Sequence, residues 1–425
     1  MITSKLQSYN FIKLNREVPT LPFIVLGGVL LLIGLVAVLL VLFQGHETVY
    51  GVTREVPWGL LIATYAFFAI TSTGLAFIGG LGHAFGFEKY AKLNKRIVVL
   101  AFITLLAGFT QMGMEIGHPF KLMFYFVTSP NFSAPIVWMG LFYGIEIIIL
   151  AAELVIIFQP QRFNHKLSAV LGFLALVVGV LATSNLGFVF GSINARPFYH
   201  GIYFPVFLVV SGVAAGAALL LLVYNIVYRF NVPETYHDSM QALGKLLGLG
   251  ISSMIFLYLW KILASLYTEP QGAYEAATAL LSGPLAANFW IGEIFLALLL
   301  PLGLLLTSRA GNLNILGWTG LIYLTGLFYT RFDFIVSGQL PPMRAGYEGS
   351  KVHTIDGLVH YSPSAGEWMI FGLGLGVFFL LYFLAERYLD LGDEVTSAVT
   401  APQKIVQPHK PNIEEIKEEP LPHSP

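Results

Sequence analysis

The chain has 425 residues, 56% of them hydrophobic and only 11% charged, with a formal net charge of -1. A soluble domain carries about 25% charged residues, so this composition belongs to a membrane protein. The net charge points to no partner, nucleic acid included, because in such a chain the asymmetry between loops carries the information. There is no cysteine. That excludes thiolate-held iron–sulfur clusters, covalent c-type haem and disulfides within this chain. Any electrons passing through it need a bound organic molecule or a partner subunit.

Residues 1–21 are polar and basic (Lys5, Lys13, Arg16) and precede the apolar run Pro22–Phe43. This run is long for a signal-peptide core and no small-residue cleavage site follows it, so it reads as a retained first span. Further apolar runs lie at Pro57–Phe85, Ile97–Gly117, Pro135–Phe158, Leu167–Gly191, Tyr199–Tyr228, Leu243–Tyr267, Asn288–Thr307, Leu313–Val336 and Glu367–Arg387. Each is long enough to cross a bilayer as a helix, whereas a barrel would show short alternating segments. The expected fold is an all-α polytopic membrane protein with ten transmembrane helices.

Charge sets the expected orientation. Fifteen basic residues fall on one side: Lys5, Lys13, Arg16, Lys89, Lys92, Lys95, Arg96, Arg162, Lys166, Arg229, Arg309, Arg387, Lys404, Lys410 and Lys417. Five fall on the other: Arg54, Lys121, Arg196, Arg344 and Lys351. The first side is then cytoplasmic, with both termini, and the chain sits in the cell inner membrane. Loops 118–134, 192–198 and 337–366 face outward, and the last is long enough for a binding loop.

A weak internal repeat relates span two (Thr71-Ser72-Thr73-Gly74) to span six (Ser211-Gly212 through Gly216). Both place small residues mid-helix, where helices approach closely. The expected organisation is a cytoplasmic N-terminus with the first span (1–56), a four-helix bundle (57–198), a second four-helix bundle (199–336), and an outward loop with the last span (337–390). The first and last helices are peripheral. The tail (391–425), rich in Pro, Glu and Lys, reads as disordered.

The most informative stretch is Glu115-Ile116-Gly117-His118-Pro119, followed by Ser129-Pro130-Asn131 and a helix start at Pro135–Trp138. It resembles the Asp-Leu-Gly-Arg-Pro…Pro-Asn-Ser-Pro…Trp pattern of the NrfD/PsrC (polysulfide reductase membrane subunit) family, with Glu115 where Asp is usual and His118 where Arg is common. Val56-Pro57-Trp58-Gly59-Leu60 resembles the family's second-helix entry, Ala195-Arg196-Pro197 its link between halves, and Tyr361-Ser362-Pro363-Ser364…Glu367 the last-helix entry of its ten-span branch. The similarity covers about residues 50–390 of this sequence. The resemblance implies a membrane subunit of a respiratory oxidoreductase complex. Its cofactor would be a quinone (menaquinone or ubiquinone), with no haem or iron–sulfur cluster in this chain. Its partners would be a ferredoxin-like iron–sulfur subunit on the periplasmic side and further redox subunits.

Ionisable groups at membrane depth are costly and usually functional. Glu115 and His118, at an outer helix end, are candidates for the quinone head-group site. Trp58, Tyr65, Trp138 and Tyr143 offer aromatic walls and Asn185 a donor, although aromatic belts occur at any bilayer interface. Glu146, Glu153 and His83, with Thr64, Thr71, Ser72 and Thr73 between them, form a candidate proton ladder toward the cytoplasm. A single Glu in a span also serves as a neutral, hydrogen-bonded structural group. Lys261, Glu293, Arg331 and Asp333 gather near the outer end of the second bundle, where both signs favour mutual pairing over a second ligand or ion site. A bis-histidine haem needs two histidines facing each other at one depth, whereas His118 and His200 share the outer side but lie at helix ends and His83 is on the opposite side. Two other readings remain open: a proton-coupled transporter, which would show interrupted helices in matched positions, and an inert anchor. Pro301 in span eight has no counterpart in span four.

Overall fold

The computed structural model describes residues 18–159, 165–267, 272–343, 354–355 and 357–392. Among these residues ten long helices stand out: α1 (Thr20–Gln44), α2 (Leu60–His83), α3 (Asn94–Glu115), α4 (Pro135–Ile157), α5 (His165–Gly191), α6 (Tyr203–Val227), α7 (His237–Tyr267), α8 (Asn288–Ser308), α9 (Leu313–Ser337) and α10 (Ala365–Tyr388). Among the described residues, nine helices are long and apolar enough to cross a membrane by length and composition. The tenth, α9, has 25 residues and carries Arg331 and Asp333. Helices suit these runs because each satisfies its own backbone polar groups, which hydrocarbon cannot do.

Local chemistry marks the helix ends. Pro135 opens α4, where its missing N–H costs nothing. Asn312 caps α9, its side chain accepting from the Asn314 and Ile315 N–H groups at 3.1 and 3.3 Å. Ser364 and Glu367 form a capping box on α10: Ser364 Oγ accepts from Glu367 N at 3.1 Å and Glu367 Oε2 from Ser364 N at 2.9 Å. Ser364 also donates to the Val49 carbonyl at 2.7 Å. Ser364→Ala is expected to cost about 1 kcal/mol, read as a lower unfolding midpoint of the purified protein; an unchanged midpoint contradicts it.

Helices α2–α5 pack as one four-helix bundle and α6–α9 as another, with α2 against α6. The two small-residue stretches seen in the sequence meet there. A Cβ on Gly74 would lie 1.8 Å from the Gly212 carbonyl oxygen, and one on Gly216 2.5 Å from the Gly74 carbonyl carbon. The backbones touch, so only glycine fits. Helix α1 packs on α10, which packs in turn on α3. Arg96, expected as a loop cation, lies in the first turn of α3 and turns inward. Its Nε donates to Glu386 of α10 at 2.7 Å, and its guanidinium lies 4.7 Å from the Tyr224 ring centre on α6.

The connections hold more structure than the sequence suggested. Loop 118–134 contains the helix Pro119–Thr128, with Phe120, Met123, Phe124 and Val127 exposed. A second short helix, Ala273–Leu281, precedes α8. In loop 337–366, Thr354–Ile355 pairs antiparallel with Leu358–Val359. Residues 344–353 and 356 of that loop, the tail from 393, the N-terminal residues 1–17, and the expected loop cation Arg162 lie outside the described residues.

Candidate functional site

Helix α3 stops at Glu115, where Ile116 turns extended, and Pro119 keeps His118 out of helical backbone, its φ being -135°. Glu115 is half-buried, and its Oε2 is buried without a hydrogen-bond partner. Glu367, Tyr50 and Tyr361 stand close enough for their charges to interact with it. Tyr361 donates to Glu367 Oε1 at 2.6 Å, and its hydroxyl accepts from Leu60 N at 2.8 Å. Glu367 Oε2 also accepts from Gly51 N at 2.8 Å. Burial raises the Tyr50 and Tyr361 hydroxyls above the usual tyrosine range, and the neighbouring carboxylates add to it. A Cβ on Gly59 would lie 2.1 Å from the Tyr361 hydroxyl, so glycine there admits the tyrosine. Thus three of the quoted motifs, about 300 residues apart at their extremes, converge on one end of the first bundle.

The other expected site residues divide. His118 is exposed at the start of the short helix and does not join Glu115 in the buried cluster. Trp138 is exposed and donates through Nε1 to the Phe132 carbonyl at 2.8 Å, which fits an interfacial belt. Trp58 is half-buried, with its ring edge on Phe190 at 5.1 Å between centres. Asn185 Oδ1 is buried without a partner. Arg196 ties the loops at this end together, donating to the carbonyls of Gln339 (2.8 Å), Pro341 (2.7 Å) and Glu55 (2.7 Å). His46, Tyr50 and Glu367 escaped notice as site residues. His46 Nε2 lies 3.0 Å from the Met114 carbonyl, which Tyr50 also reaches, at 3.1 Å. The available signal was Glu367 itself, an acidic residue ending a quoted motif.

Deeper in the bundle, Glu146 is fully buried. Its Oε1 accepts from Thr73 at 3.5 Å, and its Oε2 has no partner. Thr183 donates to Thr73 at 2.9 Å and lies 3.2 Å from the Tyr143 hydroxyl, so Tyr143, Thr183, Thr73 and Glu146 form one chain of polar groups. Tyr65 packs edge-on against Tyr143 at 6.1 Å. Ser72 turns the other way and donates to the Ala101 carbonyl on α3 at 2.7 Å, so its neighbour Thr73 takes the place expected for it. About two turns further on, Glu153 accepts from Asn94 at 3.5 Å. Both residues line a cavity of about 10 Å³, room for one water. His83 Nδ1 lies 3.0 Å from Ser168 Oγ. His83 and Glu153 both approach Gly172, where a Cβ would sit 3.3 Å from the His83 Cβ and 3.9 Å from Glu153 Oε1.

In the second bundle, the four charged residues come together without forming ion pairs with one another. Lys261 donates to the Phe198 carbonyl at 2.5 Å and lies 4.6 Å from that ring's centre. Glu293 accepts from Tyr258, and Asp333 Oδ1 accepts from Asn288 at 3.3 Å. Arg331 donates through Nη2 to Ser211 at 2.8 Å, while its Nε and Nη1 are buried without partners. This differs from the expected mutual pairing. Helical rotation aims Arg331 at α6 and Asp333 at α8, although they are two residues apart. Among the described residues, no three His, Cys, Asp or Glu converge as metal ligands.

Comparison with known proteins agrees with the motif reading. A selenate reductase subunit of Mesobacillus selenatarsenatis is 24% identical over 402 residues, 85% of this chain and 92% of that protein. The Hdr-like menaquinol oxidoreductase integral membrane subunit of Archaeoglobus fulgidus is 24% identical over 352 residues, 80% of this chain and 86% of its own length. Protein NrfD of Escherichia coli is 26% identical over 312 residues, 68% of this chain and 96% of that protein. The family described as Polysulphide reductase, NrfD matches residues 48–342. A matched region of that length, on a body of ten long helices, makes this multi-pass membrane protein a member of the NrfD family.

Proposed function

We propose that the chain is the membrane subunit of a respiratory oxidoreductase complex. It would exchange electrons between a quinone pool and an iron–sulfur subunit docked on the Glu115 end. The observation that carries this reading is the unpartnered Glu115 Oε2, buried beside Glu367, Tyr50 and Tyr361 where the family-like motifs meet. A head group with two carbonyl or hydroxyl oxygens suits such a place, because a buried polar atom without a partner is costly. Glu115 would contact it, and Asn185, whose Oδ1 is also unpartnered, is the second candidate. A bound quinone supplies two-electron, two-proton chemistry. In the protein, Glu115 holds or releases a proton at its carboxyl. Glu146, through Thr73, Thr183 and Tyr143, and Glu153, through Asn94 and a cavity with room for one water, offer donors and acceptors leading away from that end. The printed name of the Archaeoglobus relative supports menaquinol as the quinone. The charge asymmetry supports an outward, periplasmic position for the Glu115 end in the inner membrane, with cytoplasmic termini.

A transporter built on matched broken helices is less well supported: α8 opens with a π-helical stretch, while α4 is regular throughout. An inert anchor would leave the unpartnered carboxyl oxygens of Glu115 and Glu146 without a purpose. Purification from native membranes is expected to bring down an iron–sulfur protein bound at the Glu115 end. Recovery without partners, yet with full quinone-linked activity, would overturn the reading.

A further inference from the structure

The second bundle contains the densest set of unsatisfied buried polar atoms in the described residues, and the proposed quinone chemistry does not use it. Glu293 Oε1, Asp333 Oδ2, Arg331 Nε and Nη1, Ser337 Oγ and the Tyr203 hydroxyl are all buried without partners. Glu293, Arg331, Asp333 and Ser337 are at most 1% exposed. The carboxyl groups of Glu293 and Asp333 face the same small cavity, close enough to interact electrostatically. Both line a cavity of about 10 Å³ together with Tyr203, Tyr258, Lys261 and Ser337, room for one water. The π-helical stretch Asn288–Leu299 carries Glu293, and such widened turns are frequent at functional sites.

We propose that Glu293 and Asp333 share one exchangeable proton, passed to and from a single water in the adjoining cavity. Two apposed carboxylates buried in an apolar bundle cannot both be ionised cheaply, so one proton between them is the stable state. A shared proton gives the pair a donor that neither carboxylate has alone. When it moves to the water, the O–H bond breaks, the electron pair stays on the carboxylate, and the water carries the charge. The carboxylates left behind already hold Tyr258 as donor to Glu293 and Asn288 as donor to Asp333. Arg331 lies near enough to Glu293 for their charges to interact, and Lys261 lines the same cavity. Arg331 also interacts electrostatically with Tyr143 of the first bundle. The site requires no quinone and stands apart from the proposed redox function.

Infrared spectroscopy of the full-length protein in lipid nanodiscs tests this. Beside the absorption of other protonated carboxyls such as Glu146, the unaltered protein is expected to show one protonated-carboxyl C=O band, shifted on exchange into D2O, that Glu293→Gln removes and Asp333→Asn removes equally. The double variant should lose no more intensity than either single variant, because one proton is involved. Tyr258→Phe keeps both carboxyls and should shift the band, which preserves a readout if an amide variant fails to insert. Retention of the band in both amide variants, or additive losses in the double variant, overturns the proposal. Loss of the band on adding Na⁺ at fixed pH also overturns it, by assigning the pair to a metal cation instead.

Discussion

Glu115→Gln is expected to slow quinone-linked turnover about a hundredfold, the usual contribution of a positioned acid or base, while assembly with partner subunits is retained. The amide keeps the size and the acceptor oxygen of the carboxyl but cannot release a proton. Glu115 closes α3 with one oxygen unpartnered, and the adjacent carboxyl of Glu367 is already committed to Tyr361, Gly51 N and Ser364 N. Glu367 is therefore a poor substitute. Steady-state turnover of the assembled complex with a water-soluble quinol checks this. Rates equal to wild type in a correctly assembled variant would remove Glu115 from the site. His118→Ala provides the contrast: with its side chain exposed, a much smaller effect is expected.

Glu146→Gln is expected to leave quinone binding unchanged and to reduce the membrane potential built during turnover to background. The physical need is charge balance, since a head group in an apolar slot cannot hold net charge cheaply. If protons exchanged only with outer water, a carboxyl at the centre of α4 would add cost and no function. Glu146 instead joins Thr73, Thr183 and Tyr143, with Glu153 and its one-water cavity about two turns further along. A neutral carboxyl both donates and accepts, so it relays without a standing charge; a glutamine cannot pass the proton on. Proteoliposomes containing the whole complex and a potential-sensitive dye provide the measurement. Wild-type turnover together with wild-type potential would make Glu146 a packed structural residue.

The order and number of long helices were legible in the sequence, because about 20 apolar residues suffice to specify a span and hydrocarbon leaves the backbone few other choices. The burial of Glu146 and Glu153 was legible for the same reason: both fall inside one such run. The four motifs, read in order, pointed to the family. What the sequence did not determine was rotation and company. One residue along a helix turns the side chain by about 100°, so whether Ser72 or Thr73 meets Glu146 depends on how α2 is seated among its neighbours. The contact of Gly74 with Gly212 and Gly216 turned two apparently repeated stretches into one interface. Glu367 reaches Gly51 across more than three hundred residues, and no local pattern encodes that encounter. The widened turn at Asn288–Leu299 likewise was not apparent in the sequence. Sequence set which segments enter the membrane, through transfer energies that are nearly local. Tertiary packing set which polar groups face one another, because that depends on helix rotation and on contacts between segments far apart in the chain.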